Sequence, residues 1–170
     1  TSNGTFMFNN VQARPYLLKA VPGASYPNAI ATYFSSTTQW SNADTLFTSC
    51  DSIYTGKNID IIELPPLAGG TGTIGGQILD ITGSFKRLVQ GDPLPGVDVS
   101  LEQNPGSVLR AQTTTDTTGN YIFENVPDGD YTIYVDIPGL DMLASYDISI
   151  APGSDSFTSN VFYVDSTGTV

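Results

Sequence analysis

Apolar and polar residues alternate through the second half of the chain in short, separate runs. Val97, Val99 and Leu101 occupy every second position, as do Tyr131, Ile133 and Val135, and Tyr146, Ile148 and Ile150. Successive side chains of a strand point to opposite faces, so a period of two marks a strand buried on one side. Residues 74–81, 108–115, 121–126 and 160–165 read as further strands, the 108–115 run Thr-rich and suited to an edge. Asn104-Pro105-Gly106, Asp116-Thr117-Thr118-Gly119, Pro127-Asp128-Gly129-Asp130, Pro138-Gly139 and Pro152-Gly153-Ser154 punctuate them as turns. Residues 140–144 allow one helical turn. About seven short strands within roughly a hundred residues predict an all-β, antiparallel two-sheet sandwich.

A phrase from this half has a counterpart near the start. Gly4-Thr5-Phe6-Met7-Phe8-Asn9-Asn10-Val11 returns as Gly119-Asn120-Tyr121-Ile122-Phe123-Glu124-Asn125-Val126, at an offset of 119 − 4 = 115, and Tyr16 maps to Tyr131 at the same offset. Self-similarity at a fixed offset points to repeated modules. The later copy has residues 72–118 ahead of its phrase and the earlier copy only residues 1–3. The expectation is therefore the second half of one module over residues 1–66, a linker at 67–71 and a complete module over 72–166. The earlier half is expected to supply strands at 5–8, 16–20, 31–34, 49–53 and 58–64. In the stretch Pro65-Pro66-Leu67-Ala68-Gly69-Gly70-Thr71-Gly72, two prolines stiffen the start and three glycines loosen the end. Without the hairpin that should lie beside residues 4–11, the earlier sheet is expected to have an open edge.

Composition narrows the functions. Six basic residues against seventeen acidic give a net charge of −11. Such a surface disfavours nucleic acid and anionic lipid and suits cations, calcium above all. No apolar run is long enough for membrane insertion. Histidine is absent, which removes the commonest general base and the commonest zinc ligand. Cys50 is the one cysteine, so no internal disulfide can form, and no activating base for it is evident. Glu63, Glu102 and Glu124 are the only glutamates, and nothing arranges them as a glycosidase pair.

The later module resembles a known family along nearly its whole length. Asp92-Pro93-Leu94-Pro95-Gly96-Val97-Asp98-Val99 is similar to an entry signature of the form Pro-Leu-x-Gly-Val-x-Val. Asp116-x-x-Gly119-x-Tyr121-x-Phe123 followed by Val126-Pro127-x-Gly129-x-Tyr131-x-Ile133 is similar to the central signature. The pattern is that of collagen-binding-protein B-type repeats, Sdr B-like repeats and carboxypeptidase regulatory-like domains. The resemblance implies a prealbumin (transthyretin)-like β-sandwich. Physically, Asp116 can accept a backbone hydrogen bond two residues on, and Gly119 can take a positive φ. Some B-type repeats carry a lysine–asparagine isopeptide bond, with the lysine in the first strand. Residues 74–81 hold no lysine, Val135 occupies the position expected for the catalytic acid, and Lys86 falls in a polar loop. No such bond is expected in the later module. Lys19 and Lys57 belong to the earlier one, whose lysine-bearing strand is missing.

Two sets of residues are candidate sites. Asp116, Asp128 and Asp130, with Asp136 and Asp141 nearby, are candidate calcium ligands. Calcium wants six to eight oxygens, no Asp-x-Asp-x-Asp-Gly loop is present, and turn chemistry with solvated charge is the favoured reading of these residues. Tyr33 and Trp40, in the aromatic stretch of residues 26–47, are candidate glycan-stacking residues; the competing reading makes them core beneath a long loop. The expected role is a non-catalytic spacer, scaffold or adhesion repeat of a secreted or cell-surface bacterial protein, with neighbouring repeats as partners. The alternatives are a carbohydrate-binding accessory module of a secreted enzyme, or a protein-docking module using an open sheet edge.

Overall fold

The computed structural model describes residues 4–81, 91–140, 142 and 144–166. Before the linker, strand structure is confined to two-residue pairings. β1 (Pro15–Tyr16) pairs antiparallel with β4 (Leu46–Phe47), and β2 (Lys19–Ala20) pairs antiparallel with β3 (Thr32–Tyr33). A single bridge joins Ala29 to Glu63, and one 3-10 turn covers Trp40–Asn42. The strands expected at 5–8, 49–53 and 58–64 are not formed. Alternation supplies a strand with a face to bury, but its backbone groups still need a neighbour, and a lone strand leaves them to water.

After the linker come β5 (Gly72–Asp80), β6 (Asp92–Pro93), β7 (Asp98–Asn104), β8 (Val108–Thr114), β9 (Asn120–Val126), β10 (Gly129–Asp136), β11 (Ser145–Ile150) and β12 (Ser156–Val164). One sheet has the order β11-β10-β7-β8, antiparallel throughout. In the other, β5 is central, with β12 on one edge and β9 and the short β6 on the other. The inward positions of the two sheets meet in one core of Ile74, Ile78, Val99, Leu101, Tyr121, Phe123, Val126, Tyr131, Ile133, Val135, Ile148, Ile150, Phe162 and Val164 with Leu94 and Val97. This is the all-β, two-sheet sandwich that the alternation predicts.

One pairing departs from the antiparallel expectation: β12 runs parallel to β5. The chain closes its sandwich by laying the last strand beside the first. Two features make that fit close. Gly76 lies where an added Cβ would stand 1.7 Å from the Asn160 carbonyl oxygen, so only glycine lets β12 approach. The Asn160 carboxamide donates to the carbonyls of Gly75 and Phe157, each at 2.9 Å, across the irregularity between Phe157 and Asn160. The linker also differs from its expected looseness. Leu67 packs on the core, and a Cβ on Gly70 would fall 2.0 Å from the Val126 carbonyl oxygen. Gly70 thus serves close approach, whereas Gly69 takes a positive φ of +81° in open space. Of the expected helical turn at 140–144, residues 141 and 143 lie outside the described residues, as does Lys86.

Candidate functional site

The outer face of the β11-β10-β7-β8 sheet is the part of the module that meets the earlier segment. On β7 and β10 the core takes Val99, Leu101, Ile133 and Val135, which leaves Asp98, Ser100, Tyr134 and Asp136 on the opposite face. Asp98 and Asp136 are direct cross-strand partners. Outward carboxylates on a sandwich ordinarily sit in water, yet Asp98 is 4% exposed and Asp136 6%.

The β2–β3 pair and the turn after it cover them. The Tyr33 hydroxyl donates to Asp136 Oδ2 at 3.1 Å, and the Trp40 backbone N–H donates to Asp136 Oδ1 at 3.1 Å. The Lys19 ammonium donates to Asp98 Oδ2 as an ion pair and stands 5.2 Å from the centroid of the Tyr33 ring. Beside this hub, the Ala31 N–H donates to Gln112 Oε1 at 3.1 Å and the Trp40 indole N–H donates to the Leu140 carbonyl at 3.2 Å. Burial pushes the Asp136 carboxyl above the ordinary carboxylate range, and the charge of Asp98 pushes the same way. The Trp40 and Tyr33 hydrogen bonds and Lys19 oppose them. Burial and Asp136 together push the Tyr33 hydroxyl upward, so it stays a donor at neutral pH. The hub is a desolvated polar cluster whose lysine and two carboxylates all have partners, as buried charges require.

The predicted site residues fare differently. Tyr33 is 1% exposed, so it has no ring face to offer a sugar; the glycan-stacking expectation gives way here to the buried alternative. Trp40 is half-buried and separates two clefts. One, of about 240 Å³, lies against Pro15, Tyr16, Leu17 and Thr45. The other, of about 200 Å³, lies against Gln39, Tyr134, Asp136 and Met142.

Asp116 is spent on its own turn: its Oδ1 accepts from the Thr118 N–H at 2.8 Å, the Thr118 hydroxyl at 2.7 Å and the Asn120 N–H at 2.9 Å. These bonds, the Thr118 hydroxyl first, hold its carboxyl below the ordinary range. Gly119 closes the turn with φ +72°. Asp130 accepts from the Ser149 hydroxyl at 2.5 Å, and Asp128 is exposed. Among the described residues no group of three or more His, Cys, Asp or Glu side chains is arranged to hold a metal ion, and Asp141 lies outside them. Asp98 and Lys19 escape the sequence reading as a pair. Asp98 sits at an outward position of an alternating strand, and nothing local says that this face is covered.

Residues 74–161 match the model of the carboxypeptidase regulatory-like domain. The chain belongs to that family. The carboxypeptidase regulatory-like domain accounts for the sandwich and for its Asp116–Gly119 signature. Colossin-A of Dictyostelium discoideum is 35% identical over 133 residues, which are 78% of this chain and 1% of that protein. The chain thus spans about a hundredth of the length of that relative. Among solved structures, 5-hydroxyisourate hydrolase of Klebsiella pneumoniae is similar at 24% identity over 59% of this chain and 95% of its own, with a TM-score of 0.44. BcpA, the major pilin subunit of Bacillus cereus, is similar at 17% identity over 86% of this chain and 40% of its own, with a TM-score of 0.39. Among the described residues no helix is long and apolar enough to cross a membrane.

Proposed function

We propose that this chain is a non-catalytic, load-bearing repeat of a secreted or cell-surface bacterial protein, acting as spacer or adhesion module among neighbouring repeats. The observation that carries this reading is the parallel pairing of the domain's first strand with its last. β5 and β12 lie side by side in the same direction over seven registered residue pairs. A pull on the start of β5 and the end of β12 drives the two strands past one another along their length. The rungs between them are then loaded together, whereas a hairpin pulled at its open end parts one rung at a time. The Asn160 carboxamide and the Tyr121 hydroxyl, which donates to the Asn160 carbonyl at 2.9 Å, pin the strand at its irregular point.

The 115-residue internal offset supports serial repetition. The Colossin-A similarity, at 133 residues, exceeds everything from residue 72 onward and so continues into the earlier segment. The acidic surface and the lack of histidine favour holding over catalysis. Forced unfolding of a chain tethered through its two ends tests the reading. The expected result is a rupture force well above that of the same domain tethered across the β10–β11 hairpin, reduced by Asn160→Ala. Equal forces for the two tethers would overturn it.

A second reading, a carbohydrate-binding accessory module, draws on Trp40, whose position between two clefts gives the indole accessible surroundings of mixed polarity. Binding on a glycan array that vanishes with Trp40→Ala would support it, and an array without signal would remove it.

A further inference from the structure

The carboxylate pair on β7 and β10 is unevenly neutralised. Asp98 and Asp136 face each other across the two strands, and the Lys19 ammonium pairs with Asp98. Among the described residues, the hydrogen bonds given to Asp136 come from neutral donors, the Tyr33 hydroxyl on one oxygen and the Trp40 N–H on the other. A carboxylate has about four acceptor positions, so each oxygen keeps room for a further donor. Burial, with the charge of Asp98 behind it, holds the Asp136 carboxyl above the ordinary range, the response of an acid short of positive charge. Asp136 also lines the cleft of about 200 Å³ beside Trp40, together with Gln39, Tyr134, Leu140 and Met142. That lining joins one carboxylate to two aromatic rings, a thioether and an aliphatic chain. The other half of the hub shows how such a set is filled: Lys19 bonds to Asp98 while standing 5.2 Å from the centroid of the Tyr33 ring.

We infer that the cleft between Trp40 and Asp136 binds a primary alkylammonium group, the terminus of a lysine side chain or of a small amine. The Asp136 carboxylate accepts the N–H groups in charge-assisted hydrogen bonds. The Trp40 and Tyr134 rings offer their electron-rich faces to the charge, and the alkyl chain lies against Leu140 and Met142. Size agrees with this class. At about 200 Å³ the cleft is smaller than the roughly 300 Å³ or more of drug-sized sites, which suits one side chain or one small amine. A net charge of −11 draws cations towards the surface as a whole. The inference stands apart from the spacer reading, which rests on β5 and β12, and it competes with the sugar reading for Trp40.

Trp40 is the only tryptophan of the chain, so its emission reports on its own surroundings. The probe is n-butylammonium chloride, titrated into the full chain in mildly alkaline buffer. Sodium chloride at equal ionic strength and n-butanol, the neutral counterpart, serve as controls. The expected result is a saturable change in Trp40 emission with butylammonium and none with either control. Tetramethylammonium has no N–H to donate and should bind about tenfold or more weakly. Asp136→Asn should lower the affinity for butylammonium by about tenfold or more, with residues 30–33 still protected from amide exchange. Because Asp136 also anchors the cover, a second variant leaves that anchor untouched. Ser41 is exposed and lines the same cleft; Ser41→Lys places an ammonium at its rim and should abolish the response to added butylammonium. The inference is overturned by any of four results: no saturable change; an equal response to butanol or tetramethylammonium; a response to a neutral monosaccharide and not to butylammonium; or a butylammonium response unchanged by Ser41→Lys.

Discussion

Residues 72–164 and residues 15–64 are built from similar amino acids and reach different ends. The first region forms strands of six to nine residues around a shared core, apart from the two-residue β6. In the second, each strand is two residues long, and the buried residues among those described are Ile30, Ala31, Thr32 and Tyr33. The difference lies in partners rather than in propensity. Every long strand of the sandwich has a neighbour across the sheet and a second sheet beneath it. The earlier segment borrows a face that already belongs to the domain, and it holds on through hydrogen bonds and one ion pair. Period-two patterning specifies which side of a strand is buried, but a strand exists only where another accepts its rungs.

The contrast is open to graded tests. The largest effect is expected within the sandwich. Phe162 is 1% exposed and meets the Tyr146 ring edge-on at 4.9 Å, so Phe162→Ala should cost about 3–5 kcal/mol in denaturant unfolding of the domain. Tyr33→Phe should come next, removing the donor to a buried Asp136 oxygen. About 1–3 kcal/mol should be lost from the hold of the earlier segment, read as faster amide exchange at residues 30–33 with the domain's own midpoint unchanged.

The pH response should separate the two regions by sign. Asp136 has a raised carboxyl when covered, so its contribution is full below the ordinary carboxylate range and is lost as pH rises through the raised value. The cover should tighten in mild acid, and Asp136→Asn should flatten that response. Asp116 has a lowered carboxyl, so its contribution is present above the ordinary range and is lost as pH falls through the lowered value. The 116–120 turn should therefore loosen only in stronger acid, which exchange at Thr118 and Asn120 would show. The smallest effect belongs to Phe8→Ala. With Phe8 68% exposed, it should stay within about 0.5 kcal/mol of the parent, although its counterpart Phe123 is a core residue.

Much of the sandwich was legible before any coordinates. Val97-Asp98-Val99-Ser100-Leu101 and Tyr131-Thr132-Ile133-Tyr134-Val135 carry their own burial pattern. Asp116 and Gly119 carry their own turn, because its geometry is fixed within five residues. The parallel β5–β12 closure was not legible, since the choice of neighbour across some eighty positions leaves no local trace. The covered face was hidden for the same reason. Asp98 and Asp136 look like solvent-facing residues until the segment bearing Lys19 and Tyr33 lies over them. An aromatic set among Ser, Thr and Asn, as around Tyr33 and Trp40, suits either a buried layer or a sugar platform; folding assigned Tyr33 to the first and left Trp40 beside two clefts.

The seam above the β11-β10-β7-β8 sheet is stitched with carboxylate, ammonium, phenol and indole groups, beside the buried side chains of Ile30, Ala31 and Tyr33. When such a seam comes undone, each polar group released finds a water molecule in place of its lost partner, and the apolar surface of a few side chains sets the cost of opening. The sandwich below would stay shut, its own hydrocarbon sealed between the sheets. A chain jointed in this way can give at one place while holding at another.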